Sequence, residues 1–300
     1  MSVAIIRRRN LGRTSCAEIR KMMKHPARIV KTWRTPTTRW PYRGKMRPEE
    51  DMVIRWGCTS ELPNPNHQFT KDNVLNTVKS IGEVNDKAGF RKTLMRAANY
   101  PDWLCPPTYF NYDHISNDDA DSGVVIRPNS HSRGRNLWVE YGWTAIKNRC
   151  QHMGADNYYF SSLISKDKEY RVFVVSGRVV CVAEKTPGNP DDVAWNVAKG
   201  GRFDVLNWDQ WPLQAVRKSV EAFNLSSLDF GGVDVMVDKE GTAYVIEINS
   251  APSLTSPYRQ SCMAKAFDYI IENGKDRIPL QTERGGWKKF IHPCITEEAR

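Results

Sequence analysis

Three hundred residues, 40% hydrophobic with ten Trp, provide enough chain for two domains or three small packed lobes around a sizeable core. No run of eighteen apolar residues occurs, and the N-terminus lacks the apolar stretch of a signal peptide, which argues against a membrane-spanning or secreted chain and for a cytoplasmic one. The net charge of +10 is uneven: residues 1–48 hold fourteen Lys and Arg against one acid, Glu18, whereas the remainder has thirty basic and thirty-three acidic residues. Such a basic end suits an anionic partner, an acidic peptide or phosphorylated small molecule ahead of nucleic acid, with a merely soluble face as the even alternative.

In chain order, Ser2 to Arg7 predicts a strand, Thr14 to His25 a helix capped by Thr14 or Ser15, and Ala27 to Lys31 a second strand. Residues 32–48 read as a loop, Met52 to Trp56 as a third strand, and the passage through Pro63 and Pro65 as turns. Alternation of this kind suggests a small α/β lobe. Asp86 to Asn99 carries a helical stripe of Phe90, Leu94 and Ala97. Gly123 to Arg127 and Leu137 to Tyr141 are strand-like, joined by a small, polar, cationic loop around Ser130, His131, Ser132 and Gly134 that could close over phosphates. It is not a Walker loop, because no such string occurs in the chain.

Tyr158 opens another strand, with Ser161, Ser162, Leu163 and Ile164 leading into a connector. Tyr170 to Ser176 and Val179 to Glu184 form a hairpin about Ser176-Gly177, in which Glu169 and Arg171 share a face. A plain cross-strand ion pair is the bland account of those two. Helices are expected from Pro212 to Phe223 and within Ser253 to Gly274. Seven scattered cysteines without a Cys-x-x-Cys pair read as reduced thiols.

The most informative stretch is Phe230 to Pro252. It reads as two antiparallel strands about an Asp238-Lys239-Glu240-Gly241 turn. Glu247 and Asn249 point to one face, and an odd register sum puts Asp234 across from Glu247 or diagonal to it. Two carboxylates about 4 Å apart repel by roughly 4 kcal/mol at an effective dielectric near 20, a cost that a bound cation removes. On that view Asp234→Ala or Glu247→Ala stabilises the metal-free fold by relieving repulsion. Magnesium suits an Asp, Glu, Asn set that leaves room for phosphate oxygens. A solvated acidic hairpin is the alternative, opposed by the run of Val233, Val235, Val237, Val245 and Ile248.

The order of these features resembles the ATP-grasp superfamily, nearest to the branch holding glutathione synthetase and the ligases that add glutamate to a ribosomal protein's C-terminus. The resemblance spans about residues 52–255. It rests on Asn85-Asp86-Lys87, on Glu169-Tyr170-Arg171 with Gly177, and above all on Gly231-Gly232-Val233-Asp234 followed by Glu247-Ile248-Asn249 and Pro252. It implies an α/β (α+β) fold of three lobes: a basic N-terminal lobe at 1–84, a central lobe with the phosphate loop at 85–156, and a C-terminal lobe with the metal site and tail at 157–300. The nucleotide lies between the last two.

The resemblance further implies that Asp234, Glu247 and Asn249 hold one or two magnesium ions, manganese being the other ion such oxygens accept. Lys87 and Arg127 contact the α- and β-phosphates of ATP, Arg127 standing where the family usually has Lys. Ser130 to Gly134 form the flap, where His131 could touch a phosphate. Ser161 to Ile164 form the adenine hinge, with Met236 and Ile246 against the nucleotide. Glu169 takes the ribose, and Arg171, Lys185 and Asn196 face the γ-phosphate and the acyl group. The activity implied is ATP-dependent joining of a carboxylate to an amine through an acyl phosphate, which needs no side-chain nucleophile. A kinase acting on anionic polyols and a non-catalytic nucleotide-binding module are the competing readings.

Overall fold

The computed structural model describes residues 1–8, 11–32, 42–43, 50–60, 70, 72–97, 102–129, 137–153, 157–189, 193, 195 and 200–295. Three sheets organise the chain. The first has the order β3-β2-β1-β4-β5 and consists of β1 (Val3–Arg8), β2 (Ala27–Thr32), β3 (Tyr42–Arg43), β4 (Met52–Trp56) and β5 (Val74–Leu75). β2 and β4 both run parallel to β1, so α1 (Arg13–Met22) is the crossover from β1 to β2. Apolar residues at successive positions, Val3 to Ile6, are buried on both faces, as a parallel strand covered on two sides requires.

Helix α1 starts earlier than its sequence suggests. Gly12 at φ 64° stands at its N-cap without a side-chain cap, and a Cβ there would collide with the Trp56 ring. Ser15, expected as a cap, instead reaches the far end of the chain: its hydroxyl accepts from Leu254 N at 3.0 Å and donates to Leu254 O at 3.3 Å. The next helices are α2 (Val78–Asn85), which the sequence pattern does not announce, and α3 (Lys87–Ala97). Phe90 and Leu94 of α3 are buried as expected. Ala97 is exposed, and Arg91 takes the buried place, donating to Val245 O at 3.2 Å and Ile246 O at 2.7 Å.

The second sheet has the order β6-β9-β7-β8, built from β6 (Thr108–Tyr109), β7 (Val124–Pro128), β8 (Trp138–Glu140) and β9 (Tyr158–Ser162). Helices α4 (Asn117–Ser122) and α5 (Trp143–Met153) complete its small core of Ile115, Ala120, Val124, Ile126, Ile146, Cys150 and Phe160. One expected boundary moves as a result. The resemblance puts β9 in the third lobe, but β9 pairs with β7, Phe160 against Ile126, because its apolar side completes the second core.

The third sheet, β12-β11-β10-β13-β14, comprises β10 (Lys166–Val175), β11 (Arg178–Thr186), β12 (Arg202–Val205), β13 (Phe230–Asp238) and β14 (Ala243–Asn249). Val172, Val182, Val233, Val235, Val245 and Ile248 are fully buried in the main core with α6 (Leu213–Asn224) and α7 (Pro257–Asn273). Each such Val or Ile contributes about 1.5–3 kcal/mol by leaving water. The other face of the sheet is left for polar residues. All seven cysteines are free thiols, and among the described residues no helix is long and apolar enough to cross a membrane.

Candidate active site

The polar face of the third sheet follows from strand alternation. Arg171 of β10 pairs with Asp234 of β13, and Asp234 pairs with Glu247 of β14, so the three stand in one row. Glu169 lies opposite Met236, and Lys185 opposite Phe203 of β12. The register shifts between Asp234 and Val235, leaving Ile246 as an extra residue in β14. That bulge lets Glu247 face Asp234 while Val245 stays in the core. The Gly231-Gly232 pair is required just before: a Cβ on Gly232 would lie 2.9 Å from Pro252 and 3.3 Å from the Arg171 side chain.

Arg171 grips Asp234 with both ends of its fork, Nε to Oδ1 at 2.6 Å and Nη2 to Oδ2 at 2.7 Å. Lys185 lies 3.2 Å from Asp234 Oδ2 and also bonds Glu169. Glu169 in turn holds Lys166 at 2.7 Å. Lys87, at the start of α3, sits 3.4 Å from Glu247 and donates to Ile248 O at 3.3 Å. Asn249 donates to Glu247 at 3.0 Å and to Asp234 at 3.4 Å. The expected repulsion between Asp234 and Glu247 is therefore absorbed by the protein's own cations, and no bound ion is needed to relieve it. Burial pushes both carboxyl pKa values up, but Arg171 and Lys185 beside Asp234, and Lys87 with the Asn249 amide beside Glu247, outweigh it and hold both below the usual carboxylate range.

These residues fit a magnesium ion in type. Among the described residues no three His, Cys, Asp or Glu form a metal cluster. The set here is two ionised carboxylates and an amide, hard oxygen donors on one face, matching the ion's preference. Asp234 is shared with Arg171, so Glu247 and Asn249 are the more open members. In the present rotamer the amide nitrogen of Asn249, rather than its oxygen, faces the carboxylates.

Beside this row lies a cavity of about 170 Å³ between the second and third sheets, lined by Val125, Arg127, Ser161, Ser162, Leu163, Ile164, Lys166, Val193, Trp195, Met236 and Ile246. Arg127, the four hinge residues, Met236 and Ile246 are thus brought together as expected. Two details depart from expectation. The Leu163 N–H is already bonded to Gly123 O at 2.9 Å and is not open to a base. Both oxygens of Glu169 are held by lysines in place of a ribose, since Lys166 and Lys185 flank it on the sheet face. Ser130, His131, Ser132, Gly134 and Asn196 lie outside the described residues.

Lys166 and Trp195 join the site without any signal in the sequence pattern. Lys166 donates to Val193 O at 3.0 Å and sits 4.0 Å over the Trp195 ring. Three residues before Glu169, it belongs on the opposite face of a regular strand; a register shift between Lys166 and Lys168 brings it round. Burial lowers its pKa, with Lys185 and Arg127 adding to the effect against the opposing pull of Glu169. Arg127 Nε is buried and has no hydrogen-bond partner among the described residues.

Five cations and three carboxylates thus meet at the edge of an apolar cavity between two sheets. That is the frame of a protein that binds a polyanion with an attached planar or apolar group. The chain belongs to the ATP-grasp proteins: the family model for the ATP-grasp domain, family 3 of its clade, matches residues 75–268, well over half of the chain.

Solved structures share the fold at low identity. The ATP-grasp ligase PsnB complexed with minimal precursor matches with a TM-score of 0.61 and 13% identity, over 91% of this chain and 99% of that one. The macrocyclase MdnC bound with precursor peptide MdnA, from Microcystis aeruginosa MRC, gives 0.59 and 14%, over 88% and 98%. D-alanine–D-alanine ligase from Bacillus anthracis complexed with ATP gives 0.59 and 17%, over 91% and 96%. No curated protein sequence matches.

Proposed function

We propose that the chain is an ATP-dependent carboxylate–amine ligase acting through an acyl phosphate, with an acidic peptide or small carboxylate as acceptor. The observation that carries this is the Arg171–Asp234–Glu247 row, with Lys185 and Lys87, standing beside a cavity whose Arg127 keeps a buried Nε unbonded among the described residues. Magnesium, held through Asp234, Glu247 and Asn249, would supply charge neutralisation for phosphate oxygens. Arg171 and Lys185 present fixed positive charge to the transferred phosphoryl group and the acyl oxygen. Lys87 and Arg127 bind the other phosphates. Val125, Leu163, Met236, Ile246 and Trp195 enclose the base, and Glu169 acts through the two lysines it anchors. Closing Ser130 to Gly134 over the site, with Asn196 at the γ-phosphate, would exclude water from the acyl phosphate.

The peptide reading is supported by the neighbours PsnB and MdnC, each solved with a precursor, and by the basic N-terminal segment. In our reading three lobes serve these roles, and the free thiols fit a cytoplasmic location. The test is magnesium-dependent ADP release against pooled amino acids and short acidic peptides, with mass spectrometry of the product. An amide-linked product supports the ligase. A stable phosphorylated product would replace it with the kinase reading, and ATP binding without ADP release from any pool would replace it with the binding module.

A further inference from the structure

We propose that Arg259, in the first turn of α7, binds a second carboxylate on the acceptor, distinct from the one that is activated; this rests on the ligase reading above. Arg259 is 1% exposed. Its Nε donates to Ser256 Oγ at 3.1 Å and its Nη2 to Thr255 Oγ1 at 2.7 Å, both neutral hydroxyls. Nη1 is buried with no partner among the described residues. A desolvated guanidinium met only by hydroxyls is costly, because nothing nearby returns the hydration energy of its charge.

Its place in the helix compounds the cost. α7 has 17 residues, and its first turn contains no acid. The positive end of the helix dipole therefore falls on a buried cation, where an anion is favoured. The setting points the same way. The Phe203 ring has Arg171 at 4.8 Å, Arg259 at 5.3 Å and Lys185 at 5.6 Å from its centroid. Arg171 and Lys185 are matched by Asp234 and Glu169. Arg259 is the member of the three left without a carboxylate among the described residues. Burial, with Arg171 adding to it, holds its pKa below the usual arginine value.

The site also adjoins the reaction row. The loop from Ser250 to Ser256 continues directly from Asn249, and Pro252 packs at the Gly232–Arg171 contact. Thr255 is exposed while the arginine beneath it is not. An incoming carboxylate can take the Nη2 hydrogen from the Thr255 hydroxyl and reach Nη1 as well, since its two oxygens match the guanidinium fork. The acceptor is then a dicarboxylate, or a peptide presenting two carboxylates.

The test uses the full chain loaded with ADP and magnesium, titrated calorimetrically with glutarate and, as control, the uncharged glutaramide. Glutarate should bind and glutaramide should not. Arg259→Met should weaken glutarate at least about tenfold, Arg259→Lys less, and ADP affinity should stay within about twofold. Equal glutarate affinity in wild type and Arg259→Met, or no binding to wild type up to about 50 mM, would overturn the proposal. If Arg259→Met does not fold, Thr255→Val decides. Removing the competing hydroxyl should tighten glutarate about two- to threefold, whereas unchanged or weaker affinity means that Arg259 only braces the loop. Failure of the ligase reading looks different: wild type would release no ADP from ATP with any acceptor, whatever glutarate does.

Discussion

The corner around Asp234 and the positions of Arg127 and Arg259 are both buried and both charged, yet they are built on opposite plans. At Asp234 each charge meets its complement within the protein, through a bidentate Arg171 and two lysines. At Arg127 and Arg259 a guanidinium nitrogen is buried with no partner among the described residues. The first arrangement contributes to folding; the second weakens the fold until an anion arrives. A neutral frame thus holds the site's shape while unmatched cations set its appetite for ligand.

The sharpest way to break this contrast is Asp234→Ala. It leaves Arg171 and Lys185 buried without their shared partner, so unfolding in denaturant should show a loss of about 3–5 kcal/mol, together with loss of ADP release. This reverses the stabilisation expected from two facing carboxylates alone. Arg127→Ala should do the converse: stability stays within about 0.5 kcal/mol of wild type, while ADP affinity falls at least about tenfold, with Arg127→Lys milder. Normal ATP turnover by Arg127→Ala would remove the cavity from the proposal.

Acid should find the frame before it finds the cations. The folded-state pKa values of Asp234 and Glu247 lie below the usual carboxylate values, so their stabilisation is intact above about pH 4 and lost as pH falls further. A melting series from pH 7 to about pH 2 should show a decline below about pH 4 that is shallower in Asp234→Asn. The smallest effect belongs to Lys166. Its lowered pKa means that ADP affinity should fall at a less alkaline pH than an ordinary lysine would dictate, and Lys166→Arg should abolish that dependence.

The row Arg171, Asp234, Glu247 was legible because strands repeat every two residues and the hairpin register is fixed by its apolar face. What stayed hidden lies where that period fails. Lys166 is turned to the cavity by a bulge, and β9 adjoins β10 in sequence while its packing ties it to the second sheet. Arg259 lacked any pattern to betray it: an arginine in a first helical turn is ordinary until its burial and missing counter-charge are seen. The neutralising role of Arg171 and Lys185 was invisible for a related reason, since strand alternation gives the face and not the partner.

Only residues 163–165 separate the end of β9 from the start of β10, and those strands belong to different sheets. Leu163 and Ile164 in that short link also line the cavity wall. The link is therefore a pivot embedded in the nucleotide chamber, so a swing of the second sheet changes the chamber's width with almost no lever arm. A rigidifying Pro or a loosening Gly there would alter how readily the chamber opens before it altered any charge.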